Sequence, residues 1–473
     1  MGTATLSKSK ELTEKGAQKA IAKQRAYFAS GETKSITFRI NQLKKLRSAI
    51  EKNEQQLIDA LKLDLNKPAF EAYGTEIGFV LNEIKKTIKQ LKGWAKPRRV
   101  PTSLFHYKAT SKIHSDPYGV CLIIAPWNYP MQLLFSPLIG SIAAGNCTIL
   151  KPSELSAHTS NIAAQIIEET FDADYIRIFE GAVETSKSLL ANKFDFIFFT
   201  GSTNVGKVVY QAAARHLTPV LLELGGKSPC IVDENTHIEH TASRIMWGKL
   251  INAGQTCIAP DYLLVHKNIK SRLLAKMKQK IESFYGSNPL ESDDYCRIIS
   301  DRHYKRLVEM VDPEKIYCGG NSEVDSRYIE PTILDNVDPD DAIMQSEIFG
   351  PILPVMTYEH IDDAIQFVND RPKPLALYVF TKNDKLAQKV LNNTSSGGAC
   401  INETLMHLSN DHMPFGGVGE SGIGGYHGQS SFDAFSHQKS VMDKSFLIDA
   451  PLRYAPYDKL SLNALKKLYD KLL

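Results

Sequence analysis

The chain has 473 residues, 43% hydrophobic and 23% charged, with 56 basic against 53 acidic residues. That is the composition of an ordinary globular protein too long for one core, so two substantial domains are expected. A formal net charge of only +3, with its basic residues scattered, excludes a nucleic-acid footprint.

Residues 1–9, MGTATLSKS, lack the apolar core of a signal peptide, and Leu6 breaks the N-acylation pattern. Residues 36–63 place Ile36, Ile40, Leu43, Leu46 and Ile50 at helical spacing among charges and predict one amphipathic helix. In 85–99 the lysines read as a solvated helix face over Ile88, Leu91 and Trp94. Segment 100–117 has no helical period and predicts an extended arm. From Gly119 apolar runs alternate with helical segments: VCLIIA (120–125), CTIL (147–150), IRIF (176–179), FDFIFF (194–199) and PVLLEL (219–224). A second series follows, YLLVH (262–266), PILPVMTY (351–358), LALYVFT (375–381) and GACIN (398–402). Such alternation predicts an α/β fold with parallel sheets, whose ligands sit beyond the strand C-termini. No apolar run reaches the ~18 residues of a membrane span, and the closing LKKLYDKLL is polar and short, so no integral membrane segment is expected. Seven dispersed cysteines with no CxxC pair favour a reducing compartment, hence the cytoplasm.

Two strings carry chemistry. NAGQTC (252–257) presents Cys257 behind the small residues Ala253 and Gly254, and LELGGKSP (222–229) puts Glu223 at the end of an apolar run, thirty-four positions earlier. A thiol attacks as the thiolate, and an ordinary cysteine, pKa about 8.5, is only a few per cent ionised at neutral pH, so its surroundings must help. Alone, Cys257 also fits a small buried core residue and Glu223 a structural ion pair. An apolar strand end does raise a carboxyl pKa, as a general base requires. GSTNVGK (201–207) fits the first seven positions of a P-loop, but Val208 stands where a magnesium-holding hydroxyl is needed, and GxGxxG is absent. Gly201, Ser202 and Gly206 then fit either a pyrophosphate at a helix N-terminus or simple helix–strand packing. His407 and His412 have no partners at metal-ligand spacing, so no metal is expected, and they read as loop histidines near an entrance.

Taken together, LELGGKSP and NAGQTC resemble the two signature segments of the NAD(P)-dependent aldehyde dehydrogenases, spacing included. APWNYP (125–130), KPSE (151–154), FTGSTNVGK (199–207), EIFGP (347–351) and MPFGGVGESGIGGYHG (413–428) resemble further family motifs in the same order. FSHQKSV (435–441) and LRYAPY (452–457) resemble the class 3 branch, with its fatty-aldehyde and aromatic-aldehyde enzymes. The resemblance implies a Rossmann-like cofactor domain (1–99 and 118–223), an α/β catalytic domain (224–410), a bridging hairpin that builds a homodimer (100–117 and 429–450) and a tail (451–473).

It also implies roles. Cys257 adds to a small-molecule aldehyde, Asn128 and the Cys257 N–H hold the oxyanion, and Glu223 activates the water that hydrolyses the thioester; relatives that acylate CoA generally lack this glutamate. Lys151 and Glu154 take the adenosine ribose, Gly201, Ser202 and Gly206 the pyrophosphate, and Glu347, with Phe349 and Trp127, the nicotinamide end. An acid on the ribose favours NAD over NADP, with NADP tolerated. Tyr129, Met131, Trp247 and Ile258 adjoin the motifs and suggest an apolar aldehyde, although each alone fits the core. No arginine adjoins them to bind a substrate carboxylate. The competing readings are a cofactor-independent cysteine esterase and a non-catalytic protein that keeps the fold.

Overall fold

The computed structural model describes residues 11–103, 106–449, 453–457 and 461–472. The segment read for a leader and the first residue of LRYAPY lie outside them. The expected single helix over 36–63 is two, Ile36–Lys52 and Glu54–Leu65. They part at Asn53, whose side-chain amide donates to the Ala49 carbonyl at 2.8 Å and so competes with the helical ladder. The apolar stripe survives the break, with Leu43, Leu46, Ile50, Leu57 and Leu61 all fully buried. Next comes a short helix, Ala69–Ala72, that widens into a π turn over Tyr73–Ile77 and continues as Gly78–Trp94. A π turn inserts an extra residue and re-aims the side chains around it. Here Glu76 is buried, while Gly74, Thr75 and Phe79 line a cavity.

The first alternating series forms a six-stranded sheet. Its five parallel strands lie in the order Val220–Glu223, Phe196–Thr200, Val120–Ile124, Cys147–Lys151, Ile176–Ile178. Three of them, Val120–Ile124, Cys147–Lys151 and Phe196–Thr200, are buried at every residue, which explains their continuous apolar runs. The second series forms a seven-stranded sheet, parallel except for Ile316–Cys318 at one edge. One of its strands, Pro229–Val232, begins at the last residue of LELGGKSP and was unrecognised. One apolar core spans the first sheet and one face of the second, taking in Val232, Leu263, Val355 and Tyr378, and a second core with Ile231, Leu264, Met356 and Leu377 lies on the second sheet's other face.

A third, antiparallel sheet joins Arg98–Val100, Ala109–Pro117 and Ser436–Lys444, with Ser436 opposite Pro117 and Lys444 opposite Ala109. Of the expected bridging segment 429–450, Ser436–Lys444 lies in this sheet. Gln429–Ala434 is a helix against the Gln132–Ala144 helix, so close that a Cβ on Gly140 would come within 2.8 Å of Ser431. Between the two segments, Gly422–Ile423 returns to the first sheet and pairs antiparallel with Leu222 and Glu223. A two-residue strand leaves no apolar run, so this return was invisible in the periodicity. Of the tail, Leu462–Leu472 is helical. Among the described residues no helix is long and apolar enough to cross a membrane.

Candidate active site

Ile124, Lys151, Thr200 and Glu223 end neighbouring parallel strands, so APWNYP, KPSE, GSTN and LGG all leave the sheet along one edge. The Cys257 loop comes from the other sheet's half of the chain and is held in an unusual shape. Asn252 and Ala253 have φ of 53° and 50°, left-handed values that cost a residue with a Cβ. Gly254, at φ 72°, could carry no side chain, since a Cβ there would run into the Gly350 carbonyl. Hydrogen bonds stabilise this strained turn. The Asn252 N–H donates to Glu71 Oε1 at 2.8 Å, and the Gln255 side chain bonds the carbonyls of Asn252 and Arg297 and the N–H of Ile299, each at 3.0 Å.

Cys257 lies where two cavities meet. One, about 220 Å³, is lined by Trp127, Asn128, Thr200, Gly201, Ser202, Glu223, Gly225, His303, Arg306, Glu347 and Phe349. The other, about 210 Å³, is lined by Phe79, Tyr129, Trp247, Thr256, Ile258, Met406, Leu408 and His427, among others. Cys257, Leu133, Phe415 and Tyr426 border both. Burial, and then the carboxyls of Glu347 and Glu223, push the thiol pKa up. The resting sulfur is therefore protonated, and attack requires that its proton be taken.

Glu223 faces the first cavity, neither of its side-chain oxygens has a hydrogen-bond partner among the described residues, and burial raises its pKa well above the carboxylate range. A carboxyl held this way accepts a proton readily once ionised. Asn128 donates one amide N–H to the Gln255 carbonyl at 3.0 Å, and an amide nitrogen carries two. Glu347 is half-buried, but its Oε1 is buried without a partner among the described residues, and burial and then Asp261 push its pKa up to about 8. Gly225 must lack a side chain here, because a Cβ would collide with the Glu347 carboxyl. Trp127 stands edge-on to Phe349 at 5.3 Å between ring centroids and tilts against His303 at 4.9 Å.

Lys151 and Glu154 stand off this cavity as an ion pair of 2.9 Å, the ammonium buried and the carboxylate 41% exposed. Ser202 caps the Thr203–Ala214 helix by accepting from Val205 N–H. Gly201 and Gly206 also serve packing, since a Cβ would meet the Phe199 ring at 2.6 Å or Leu224 at 2.5 Å. Of the four expected substrate-pocket residues, Tyr129, Trp247 and Ile258 line the second cavity and Met131 does not. Met131 is fully buried in the core, as the long apolar run that follows it would allow. His407 sits with its Nδ1 3.2 Å from Cys400 Sγ and lines neither cavity, and His412 is exposed. His427, inside the 413–428 motif but given no role from the sequence, lines the wall instead, as do Phe79 from the π-turn helix and Leu408. His303 and Arg306 of the first cavity were also missed, because nothing in RHYKR marks them out. Among the described residues no group of three or more His, Cys, Asp or Glu is placed to hold a metal.

Comparisons with known proteins agree with this geometry. Residues 2–441 match the family model described as "Aldehyde dehydrogenase family". The chain is 51% identical over 435 residues to the 4,4'-diaponeurosporen-aldehyde dehydrogenase of Staphylococcus aureus, covering 92% of this chain and 95% of that one. It is 45% identical to the aldehyde dehydrogenase of Rattus norvegicus named dimeric NADP-preferring, over 92% of this chain and 97% of the relative. The structure titled as the substrate-bound state of Staphylococcus aureus AldH superposes with a TM-score of 0.94 at 49% identity, covering 96% of this chain and 99% of that one. The chain belongs to the aldehyde dehydrogenase family, NAD(P)-dependent oxidoreductases that convert an aldehyde to its acid.

Proposed function

We propose that this enzyme oxidises apolar aldehydes, aliphatic or aromatic, with Cys257 as nucleophile and Glu223 as base. The observation that carries the reading is the position of Cys257 at the junction of two cavities, one holding Glu223 and the unpartnered Glu347 oxygen and the other walled by Phe79, Tyr129, Trp247, Ile258 and Leu408. In this account the Cys257 thiol gives up its proton to solvent and Sγ bonds to the carbonyl carbon, while Glu223 stays free for the later hydrolysis. The free Asn128 N–H and the Cys257 N–H stabilise the oxyanion; losing one such donor typically costs about 10²–10³ in rate. A bound nicotinamide cofactor would supply the hydride acceptor for that carbon, and Cys257 would then carry the acyl group as a thioester. Glu223 then removes a proton from water, which attacks the thioester and expels the thiolate with the acid as product.

The first cavity fits the cofactor's nicotinamide end, because Glu347 Oε1 is buried without a partner and Trp127 and Phe349 lie beside it. Glu347 would hold the ribose there, Gly201, Ser202 and Gly206 would border the pyrophosphate, and Lys151 and Glu154 the adenosine ribose. The open Glu154 carboxylate supports a preference for NAD, although a relative named NADP-preferring indicates that the margin is small.

We assign 1–99 and 118–223 to cofactor binding, 224–410 to catalysis, and 100–117 with 429–450 to bridging. The mostly exposed edge strand Ser436–Lys444 supports a homodimer, as does a relative named dimeric. Seven free cysteines support the cytoplasm.

A panel of aldehydes assayed with each cofactor tests the substrate class. Catalytic efficiency is expected to rise about fourfold per methylene while the chain fits the apolar cavity, from ~0.8 kcal/mol for each CH₂ buried. A flat profile, or preference for a carboxylated semialdehyde, would sink it.

A further inference from the structure

Lys67 and Glu76 form an ion pair of 2.6 Å with both side chains fully buried, and no step of the proposed reaction uses either. Two charges so buried are often no more stabilising than apolar residues of similar volume, so stability is weak grounds for having them. Their other hydrogen bonds converge on one segment. Glu76 Oε2 accepts the backbone N–H of Met131 at 2.9 Å and of Gln132 at 3.2 Å. Lys67 Nζ donates to the backbone carbonyl of Asn128 at 3.4 Å and lies 4.3 Å from the Tyr129 ring centroid. The Asn252 side chain, from the strained loop before Cys257, donates to the same Asn128 carbonyl at 2.8 Å. The π turn that re-aims Glu76 is thus part of what holds residues 128–132.

We propose that the buried Lys67–Glu76 pair is a positioning device for the oxyanion: by gripping the 128–132 backbone at both ends it fixes where the Asn128 amide points. This rests on the reading of Asn128 as the oxyanion donor. A donor helps only if it is aimed before charge develops, and a rigid, fully satisfied support provides that aim. Neither residue touches the reacting atoms; both act through Asn128.

A four-protein cycle tests it: wild type, Asn128→Ala, Lys67→Met with Glu76→Gln, and the combination. The readouts are the rate of the first NADH turnover after rapid mixing, the aldehyde KM and NAD binding by fluorescence. Asn128→Ala is expected to slow the first turnover about 10²–10³-fold. The pair variant should slow it about 10–100-fold, as misplacement by about an ångström does, with KM and NAD binding within about twofold of wild type. The combination should be no slower than Asn128→Ala alone. If Asn128→Ala keeps the wild-type rate, the reading of Asn128 is wrong and the inference falls with it. If Asn128→Ala is slow but the pair variant is as fast as wild type, or slows Asn128→Ala by the same factor as wild type, only the positioning role is overturned. Should the pair variant not fold, Glu76→Gln alone, which keeps an oxygen for the two N–H groups, goes through the same cycle under the same criteria.

Discussion

Glu76 and Glu223 are both buried acids of the half that carries the six-stranded sheet, and they are kept in opposite conditions. Glu76 has an ammonium on one oxygen and two backbone N–H groups on the other, whereas neither oxygen of Glu223 has a partner. A carboxylate with every oxygen engaged is fixed in place and useful as a support. One with no engagement is costly to bury charged, and for that reason it takes up protons at a pH where an ordinary glutamate does not. The fold places the first among helices and the second at a strand end facing a cavity. Support and chemistry are thus separated between two residues of the same type.

The largest effect expected from breaking this contrast is on turnover. Glu223→Gln should lower steady-state kcat by about 10²–10⁴, the range typical of a lost general base. Wild-type kcat should itself rise with pH as Glu223 ionises, because burial raises its pKa, and the variant should lose that dependence. A steady-state pH profile in both proteins checks both points; an unchanged profile in the variant would remove Glu223 from the limiting step.

Next in size is stability, where the two acids should behave oppositely. Lys67→Met leaves Glu76 buried without its cation and should cost about 3–5 kcal/mol. For Glu223 the sign runs the other way. Its folded pKa lies above the unfolded value of about 4.3, so its favourable contribution is complete below that value and is lost as pH rises toward the folded pKa. Glu223→Gln removes that loss, so its melting temperature should gain on wild type as pH rises from about 5. Melting curves across pH decide it. A Glu223→Gln protein that falls behind wild type at high pH would mean that the carboxylate has a stabilising partner.

The smallest effect concerns an acid held by a single lysine and partly open to water. Glu154 is 41% exposed beside Lys151, and its field is screened by water. Glu154→Gln should therefore narrow the ratio of NAD to NADP efficiency by only about three- to tenfold, measured as kcat/KM with each cofactor. An unchanged ratio would show that Glu154 does not set selectivity.

What could be read in the sequence divides along the same line. Glu223 and Asn128 sit in short strings after strand ends, where a polar residue beyond an apolar run is conspicuous, Cys257 sits in a short string between a helix and a strand, and most of the parallel strands showed through their apolar runs. Glu76 sits in EAYGTEIGF, which looks like any solvated helical stretch, because a π turn and a partner nine positions earlier leave no periodic trace. The second cavity was legible only where its residues adjoin the motifs. Phe79, Leu408 and His427 come from three distant segments, and no local pattern joins them. Met131 adjoins a motif yet points into the core, since nearness along the chain does not fix which way a side chain faces. The return of Gly422–Ile423 to the first sheet depends on two backbone pairings and on no side-chain pattern.

The central claim is that Cys257 acts before the oxidation step and Glu223 chiefly after it, on water. Mixing Glu223→Gln with NAD and a medium-chain aldehyde, and following NADH together with the intact protein mass, tests this most directly. The account predicts a rapid phase of about one NADH per active site, then a stall with an acyl group on Cys257. A rapid phase that disappears along with the steady-state rate, or normal turnover with no adduct, would contradict it.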